Sequence, residues 1–155
     1  EYQYEMVRLG IGIYGVGNAI EEQGSLENVS TLKSIISQIR TVEANESIGY
    51  SRKFMVKKEM RIATIPIGYA DGIRRAWGNE KGFVSINNQK ATILGNICMD
   101  MLMVDVTHIN CKERDEVTIF GENPHVTEIA AVCQTIPYEI LTSISQRVKR
   151  IFYKN

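Results

Sequence analysis

Cysteine and histidine are scarce in this chain of 155 residues, at three and two. Cys98, Cys111 and Cys133 are odd in number, widely spaced and form no Cys-x-x-Cys pair. That pattern fits the reduced thiols of a cytoplasmic protein and not a disulfide framework. A metal site is not expected either, because His108 and Cys111 have no second pair of ligands at zinc-finger spacing. Net charge is missing as well. Eighteen basic residues balance eighteen acidic ones, so no field steers nucleic acid or an anionic membrane. No apolar run approaches the roughly 18 residues a membrane helix needs, and no signal-peptide pattern is seen. With 44% hydrophobic and 23% charged residues, the chain reads as soluble and long enough for one domain with a proper core.

What is present is mostly β patterning. Residues 61–67 are rich in β-branched side chains and end at Gly68, which predicts a strand. Residues 31–42, with Ile35, Ile39, Thr41 and Val42, are expected to form one long strand. Asn87 and Asn88 separate the strands 83–86 and 89–93 and predict a hairpin, since asparagine tolerates the positive φ of such turns. A short strand is expected at 101–104, another at 116–120, and a closing alternating strand at 147–153. Thr127 is expected to cap a helix over 128–134, and 138–145 has helical spacing through Ile140, Leu141 and Ile144. Many short strands with two short helices suggest a barrel or sandwich.

Residues 7–14 stand apart. They are continuously apolar save for Arg8, then break at Gly15 and Gly17, which predicts a strand buried on both faces, followed by a linker at 18–28. Residues 95–106 pose a different question, because Asp100 and Asp105 interrupt a methionine-rich apolar run. A carboxylate placed there needs a hydrogen-bonding or charged partner.

Three segments set a tyrosine beside glycine or proline in apolar surroundings: Ile48-Gly49-Tyr50-Ser51, Ile67-Gly68-Tyr69-Ala70-Asp71-Gly72 and Ile136-Pro137-Tyr138-Glu139. Together with Met6-Val7-Arg8-Leu9-Gly10-Ile11-Gly12-Ile13-Tyr14-Gly15 and residues 95–105, they resemble the carboxy-terminal part of bacterial alanine racemases. These pyridoxal 5'-phosphate enzymes interconvert L- and D-alanine for cell-wall peptidoglycan. The resemblance covers nearly the whole chain, in the family's order.

The resemblance implies a mainly β fold, a C-terminal-type β-barrel domain over 29–155 with short helices. Residues 1–28 would be the last strand of an amino-terminal TIM-type α/β barrel and its linker. The cofactor lysine and the substrate-binding arginine would then lie upstream of Glu1, and this chain alone would neither hold the cofactor stably nor racemise alanine. Tyr50 matches the catalytic tyrosine. Racemisation needs a base on each side of the cofactor plane, and a free phenol ionises near about pH 10, so a tyrosine base needs a neighbouring donor or the cofactor's field. The resemblance also implies a homodimer in which Tyr50 serves the partner subunit's site.

Arg8 matches the arginine on the cofactor's pyridine nitrogen. Gly10 and Ile11 match backbone amides on its phosphate, with Tyr138 the phosphate-contacting tyrosine. Met99 matches the residue whose backbone amide binds the substrate carboxylate. Tyr69, Arg75 and Asp100 match the entrance. Asn96 departs from the family, which usually carries arginine there, so substrate preference is open. Two other readings accompany this one: a serine racemase of the same fold, as in glycopeptide-resistance systems with a membrane-attached upstream domain, and a non-catalytic β interaction module.

Overall fold

The computed structural model describes residues 5–17 and 19–153. Among the described residues nine strands run β1 (Leu32–Ile35), β2 (Gln38–Val42), β3 (Ser47–Ile48), β4 (Phe54–Met55), β5 (Met60–Ile65), β6 (Phe83–Ile86), β7 (Gln89–Leu94), β8 (Leu102–Asp105) and β9 (Glu116–Phe120). Three short helices, α1 (Ile20–Gln23), α2 (Val126–Val132) and α3 (Pro137–Ser143), complete the elements with several 3-10 turns.

Seven strands form one sheet in the order β1-β9-β6-β7-β8-β5-β2, all neighbours antiparallel, while β3 and β4 make a separate hairpin. The two edge strands, β1 and β2, are consecutive in the chain. Only Ile36 and Ser37 separate them, and the three Cα–Cα steps from Ile35 to Gln38 span at most about 11 Å, so the sheet must curl until these edges come together. The seam is hydrogen-bonded to both sides. Ile36 N–H donates to the Asp115 carbonyl at 3.0 Å, Ser37 N–H donates to Thr64 at 2.9 Å, and the Ile36 carbonyl accepts from Arg114 N–H at 2.8 Å. The expected single strand over 31–42 is therefore two strands with different partners. β-branched residues favour extended backbone on both sides of the break, so the pattern looked continuous.

Curling places one apolar layer inside and another outside. Ala63, Ile65, Ala91, Ile93, Leu102 and Val104 of β5, β7 and β8 join the inner cluster, which α2 and α3 extend through Ile129 and Ile140. Their alternate neighbours Ile62, Leu94 and Met103 join an outer cluster beneath the β3–β4 hairpin, with Val42, Ile48 and Val56. Strands covered on both faces lose the apolar/polar alternation. This explains the unbroken apolar run Leu102-Met103-Val104 of β8.

The Asn87-Asn88 turn has φ of 49° and 60°, the positive pair that a two-residue hairpin requires. Strand 116–120 forms as expected, and 61–67 and 101–104 shift by one or two residues. Helix α2 starts earlier than expected, with His125 and not Thr127 at its cap. The His125 ring accepts from Thr127 N–H at 3.4 Å while Glu128 accepts from His125 N–H at 3.1 Å, and the earlier start buries Val126.

Two expected strands are absent among the described residues. Residues 147–153 form none, because the Arg150 guanidinium folds back onto the carbonyls of Ser145 (2.5 Å), Val148 (2.7 Å) and Ile144 (2.8 Å), and Phe152 is left 89% exposed. Residues 7–14 form none either: Ile11–Tyr14 is a 3-10 turn, and Val7 and Leu9 are 62% and 74% exposed. A strand buried on both faces needs strands beside it, and none of the described strands pairs with this segment. Of the expected linker, residue 18 lies outside the described residues, as do 1–4, 154 and 155 of the two expected domains.

Candidate functional site

The tyrosine-glycine segments and the 95–101 loop meet in space. Gly68 enters the 3-10 turn Tyr69–Asp71 so close to the neighbouring loop that a Cβ there would lie 2.3 Å from the Cys98 carbonyl oxygen and 2.4 Å from that of Met99. Only glycine permits this approach. Tyr69 N–H donates to the Cys98 carbonyl at 3.0 Å and Ala70 N–H to the Met99 carbonyl at 3.0 Å. Cys98 N–H closes the turn onto the Met101 carbonyl at 2.9 Å. Both carbonyls of the Cys98-Met99 pair are thus engaged, whereas the Met99 N–H has no acceptor among the described residues. Met99 itself is 54% exposed, in a turn held by these three backbone hydrogen bonds.

Asp71 organises the other end of this contact. It is buried, accepts from Gly68 N–H at 2.8 Å, and accepts from Arg147 Nε at 2.7 Å. The same guanidinium reaches Asp100 through Nη2. Burial pushes the Asp71 carboxyl up, but the Arg147 hydrogen bond, the Gly68 amide and the Arg147 charge outweigh it and hold the group below its ordinary value. The two carboxylates in turn push Arg147 up, chiefly through the Asp71 and Asp100 hydrogen bonds. Asp100, expected at an entrance, is therefore tied into an ion-pair network. Asp105 is explained locally: its Oδ1 accepts from Thr107 N–H at 2.8 Å and from the Thr107 hydroxyl at 2.6 Å.

Tyr50 follows Gly49, whose φ of 74° only glycine adopts freely, and opens a 3-10 turn in which Ser51 has φ of 62°. Its side chain projects outward, with the residue 74% exposed. The turn is held from behind. The Asn96 side-chain amide donates to the Tyr50 carbonyl at 3.1 Å and accepts from the Asn79 amide at 3.1 Å. Cys98 lies in the same loop, its thiol pushed up by burial, with the Arg75 charge and the Tyr50 backbone pulling the other way. A raised, buried thiol is a packing residue and a poor nucleophile. Tyr50, Asn96, Met99, Tyr69 and Arg75 accordingly share one region.

Tyr138 and Gly10 meet separately. A Cβ at Gly10 would lie 3.0 Å from the Tyr138 hydroxyl oxygen. Helix α3 is steadied beside Tyr138 by Glu139, which pairs with Arg74 at 2.6 Å and accepts from the Thr135 hydroxyl. These contacts, the Thr135 hydrogen bond first, hold the Glu139 carboxyl below its ordinary value. Ile11 is buried in the turn after Gly10, while Arg8 is exposed and makes no hydrogen bond or ion pair among the described residues.

Sequence reasoning missed Asp71 and Arg147. The Gly-x-x-Asp-Gly spacing of 68–72 could have flagged Asp71 as a turn carboxylate, since Asp bonds nearby backbone in such turns. Nothing local marks Arg147, whose two partners lie 76 and 47 residues away.

Fold and loops define a class: a small antiparallel barrel domain that carries its polar chemistry on outward-facing loops. The particular family follows from likeness to known proteins. The chain belongs to the alanine racemase C-terminal domain family, whose model matches residues 29–152. It is 42% identical over 147 residues to an alanine racemase of Alteromonas mediterranea, covering 93% of this chain and 41% of that relative. Among solved structures, alanine racemase from Bartonella henselae with covalently bound pyridoxal phosphate matches with a TM-score of 0.85 and 36% identity, over 93% of this chain and 40% of that one. Alanine racemase from Bacillus anthracis with bound L-Ala-P matches with a TM-score of 0.85 and 33% identity, over 94% and 39%. The chain spans about two fifths of the length of these relatives. Among the described residues no helix is long and apolar enough to cross a membrane.

Proposed function

We propose that this chain is the carboxy-terminal part of a pyridoxal phosphate-dependent racemase that interconverts L- and D-alanine, acting as a homodimer with shared sites. The observation that carries the reading is the Met99 turn, which engages both its carbonyls and leaves one backbone N–H for an outside acceptor. A substrate carboxylate is such an acceptor, and backbone donors fixed before binding cost no reorganisation. The start of the family match at residue 29 supports a division between a barrel end at 1–28 and the β domain at 29–155.

The chain's residues fit the cofactor. The Gly10 backbone has room beside the Tyr138 hydroxyl that a side chain would fill, which suits a phosphate held by the Gly10 and Ile11 amides and the Tyr138 phenol. Bound pyridoxal phosphate supplies the electron sink that makes the substrate's α-proton removable. Arg8 would hold the pyridine nitrogen, where a permanent cation would disfavour its protonation and limit side reactions. Tyr50 takes and returns the proton on one face of the α-carbon, and a base outside this chain serves the other. The exposure of Tyr50 and Met99 supports their serving the partner subunit's site, with Tyr69 and Arg75 along the approach to it.

Tyr50→Phe in the full-length protein tests the assignment. Racemisation is expected to fall by about 10²-fold or more, the scale of a lost general base. Solvent deuterium should still enter one enantiomer, and cofactor absorbance should be retained. Unchanged racemisation in both directions would refute the role of Tyr50 and favour a non-catalytic module. Rates on L-alanine and L-serine decide the substrate, and a clear preference for serine would replace alanine in this reading.

A further inference from the structure

We propose that Arg147 is a positioning residue for the substrate carboxylate: by bridging Asp71 and Asp100 it fixes the turn that presents the Met99 N–H. The inference rests on the assignment of that N–H to the carboxylate, and it adds a residue that touches neither substrate nor cofactor.

The geometry is a two-ended clamp. At one end, Tyr69 and Ala70 N–H groups hold the Cys98 and Met99 carbonyls, both at 3.0 Å. At the other, one guanidinium spans the loops, with Nε on Asp71 at 2.7 Å and Nη2 on Asp100. Asp71 is itself fixed, because its second oxygen accepts from Gly68 N–H at 2.8 Å and its carbonyl accepts from Ser145 N–H at 3.0 Å. Asp100 directly follows Met99. Pinning its side chain restrains the rotation of the Met99-Asp100 segment that the tight Cys98–Met101 turn leaves open. The fork matters as well as the charge: guanidinium offers separate N–H donors to two carboxylates at once, whereas an ammonium offers a point charge on a flexible stem. Arg147 is in turn held where the chain leaves α3, since the Ser143 hydroxyl donates to the Gly72 carbonyl at 3.1 Å. The carboxylate contact on Met99 is thus set by three chain segments far apart in sequence.

The test uses Arg147→Lys and Asp100→Asn in the full-length racemase, with propionate as a competitive probe that has the substrate's carboxylate and no amino group. Both variants are expected to raise the KM for alanine and the inhibition constant of propionate in parallel by roughly tenfold, the scale of a misaligned hydrogen bond to a charged group. The fall in kcat should be smaller, and cofactor absorbance unchanged. Met99→Pro, which deletes the donor, should raise the propionate constant at least as far. If Met99→Pro weakens propionate and both clamp variants bind it like the parent, Arg147 has no positioning role, while the carboxylate assignment stands. If Met99→Pro leaves propionate binding intact, the carboxylate assignment fails and the clamp inference with it. Asp100→Asn keeps the test decisive should Arg147→Lys fold poorly.

Discussion

Asp71 and Asp100 show how a charge is carried in an otherwise apolar neighbourhood. Asp71 is buried, and both its oxygens accept hydrogen bonds, one from Gly68 and one from Arg147. Its carboxyl titrates below its ordinary value, burial raising it and the Arg147 and Gly68 contacts lowering it further. A carboxyl depressed in the folded state contributes stability that is complete above its unfolded value of about 3.9 and is lost as pH falls through the folded one. Urea denaturation should therefore show stability level near neutral pH and declining below about pH 4. In Asp71→Asn part of that decline should disappear, and an identical acid limb in parent and variant would contradict the linkage. The sequence flagged Asp100 and Asp105 as carboxylates needing partners. The partner of Asp105, Thr107, is two residues away, whereas that of Asp100 is brought by the fold.

Turns set by residues that tolerate an unusual backbone were readable, and segments decided by where a long side chain folds were not. The Asn87-Asn88 hairpin follows from two residues that tolerate positive φ. The alternation at 147–153 had no way of announcing that Arg150 would occupy nearby carbonyls. The turn at Gly68 lies between these cases, and its glycine can be tested. Its φ of −149° suits any residue, so Gly68→Ala would ordinarily gain about 0.4–1 kcal/mol from a less flexible unfolded chain. The Cβ, however, would lie 2.3–2.6 Å from backbone atoms of Cys98 and Met99, which cannot swing aside as a side chain could. Overpacking of this kind costs about 1–3 kcal/mol, so net destabilisation is expected. Gly12→Ala is the control, because no atom lies within 4 Å of a Cβ there and φ is not positive. Urea midpoints should fall for Gly68→Ala and hold or rise for Gly12→Ala. Equal midpoints for the two would remove the close approach as the reason for glycine.

At the scale of the whole molecule, a barrel or sandwich was legible from the spacing of short strands, the barrel itself came from the family resemblance, and the way it closes was not legible. Residues 31–42 look like one strand because extended, β-branched sequence serves both β1 and β2. The break at Ile36 arises only because β1 pairs with β9 while β2 pairs with β5. Closure therefore depends on a two-residue seam whose side chain, Ile36, is fully buried in the inner cluster. Ile36→Ala removes the apolar group at the point where the sheet edges meet, and large-to-small core changes of this type cost about 2–5 kcal/mol. The loss should also be local in its first consequence. Seam amides donating to Asp115 and Thr64 join the sheet's two ends, whereas β6 and β7 are joined by their own tight turn. Native-state hydrogen exchange in Ile36→Ala should accelerate first at Ile36, Ser37 and Arg114, with the β6–β7 amides following only through global unfolding. Uniform acceleration across all strands would mean that the seam opens only with the entire sheet and that barrel closure is not a separable step.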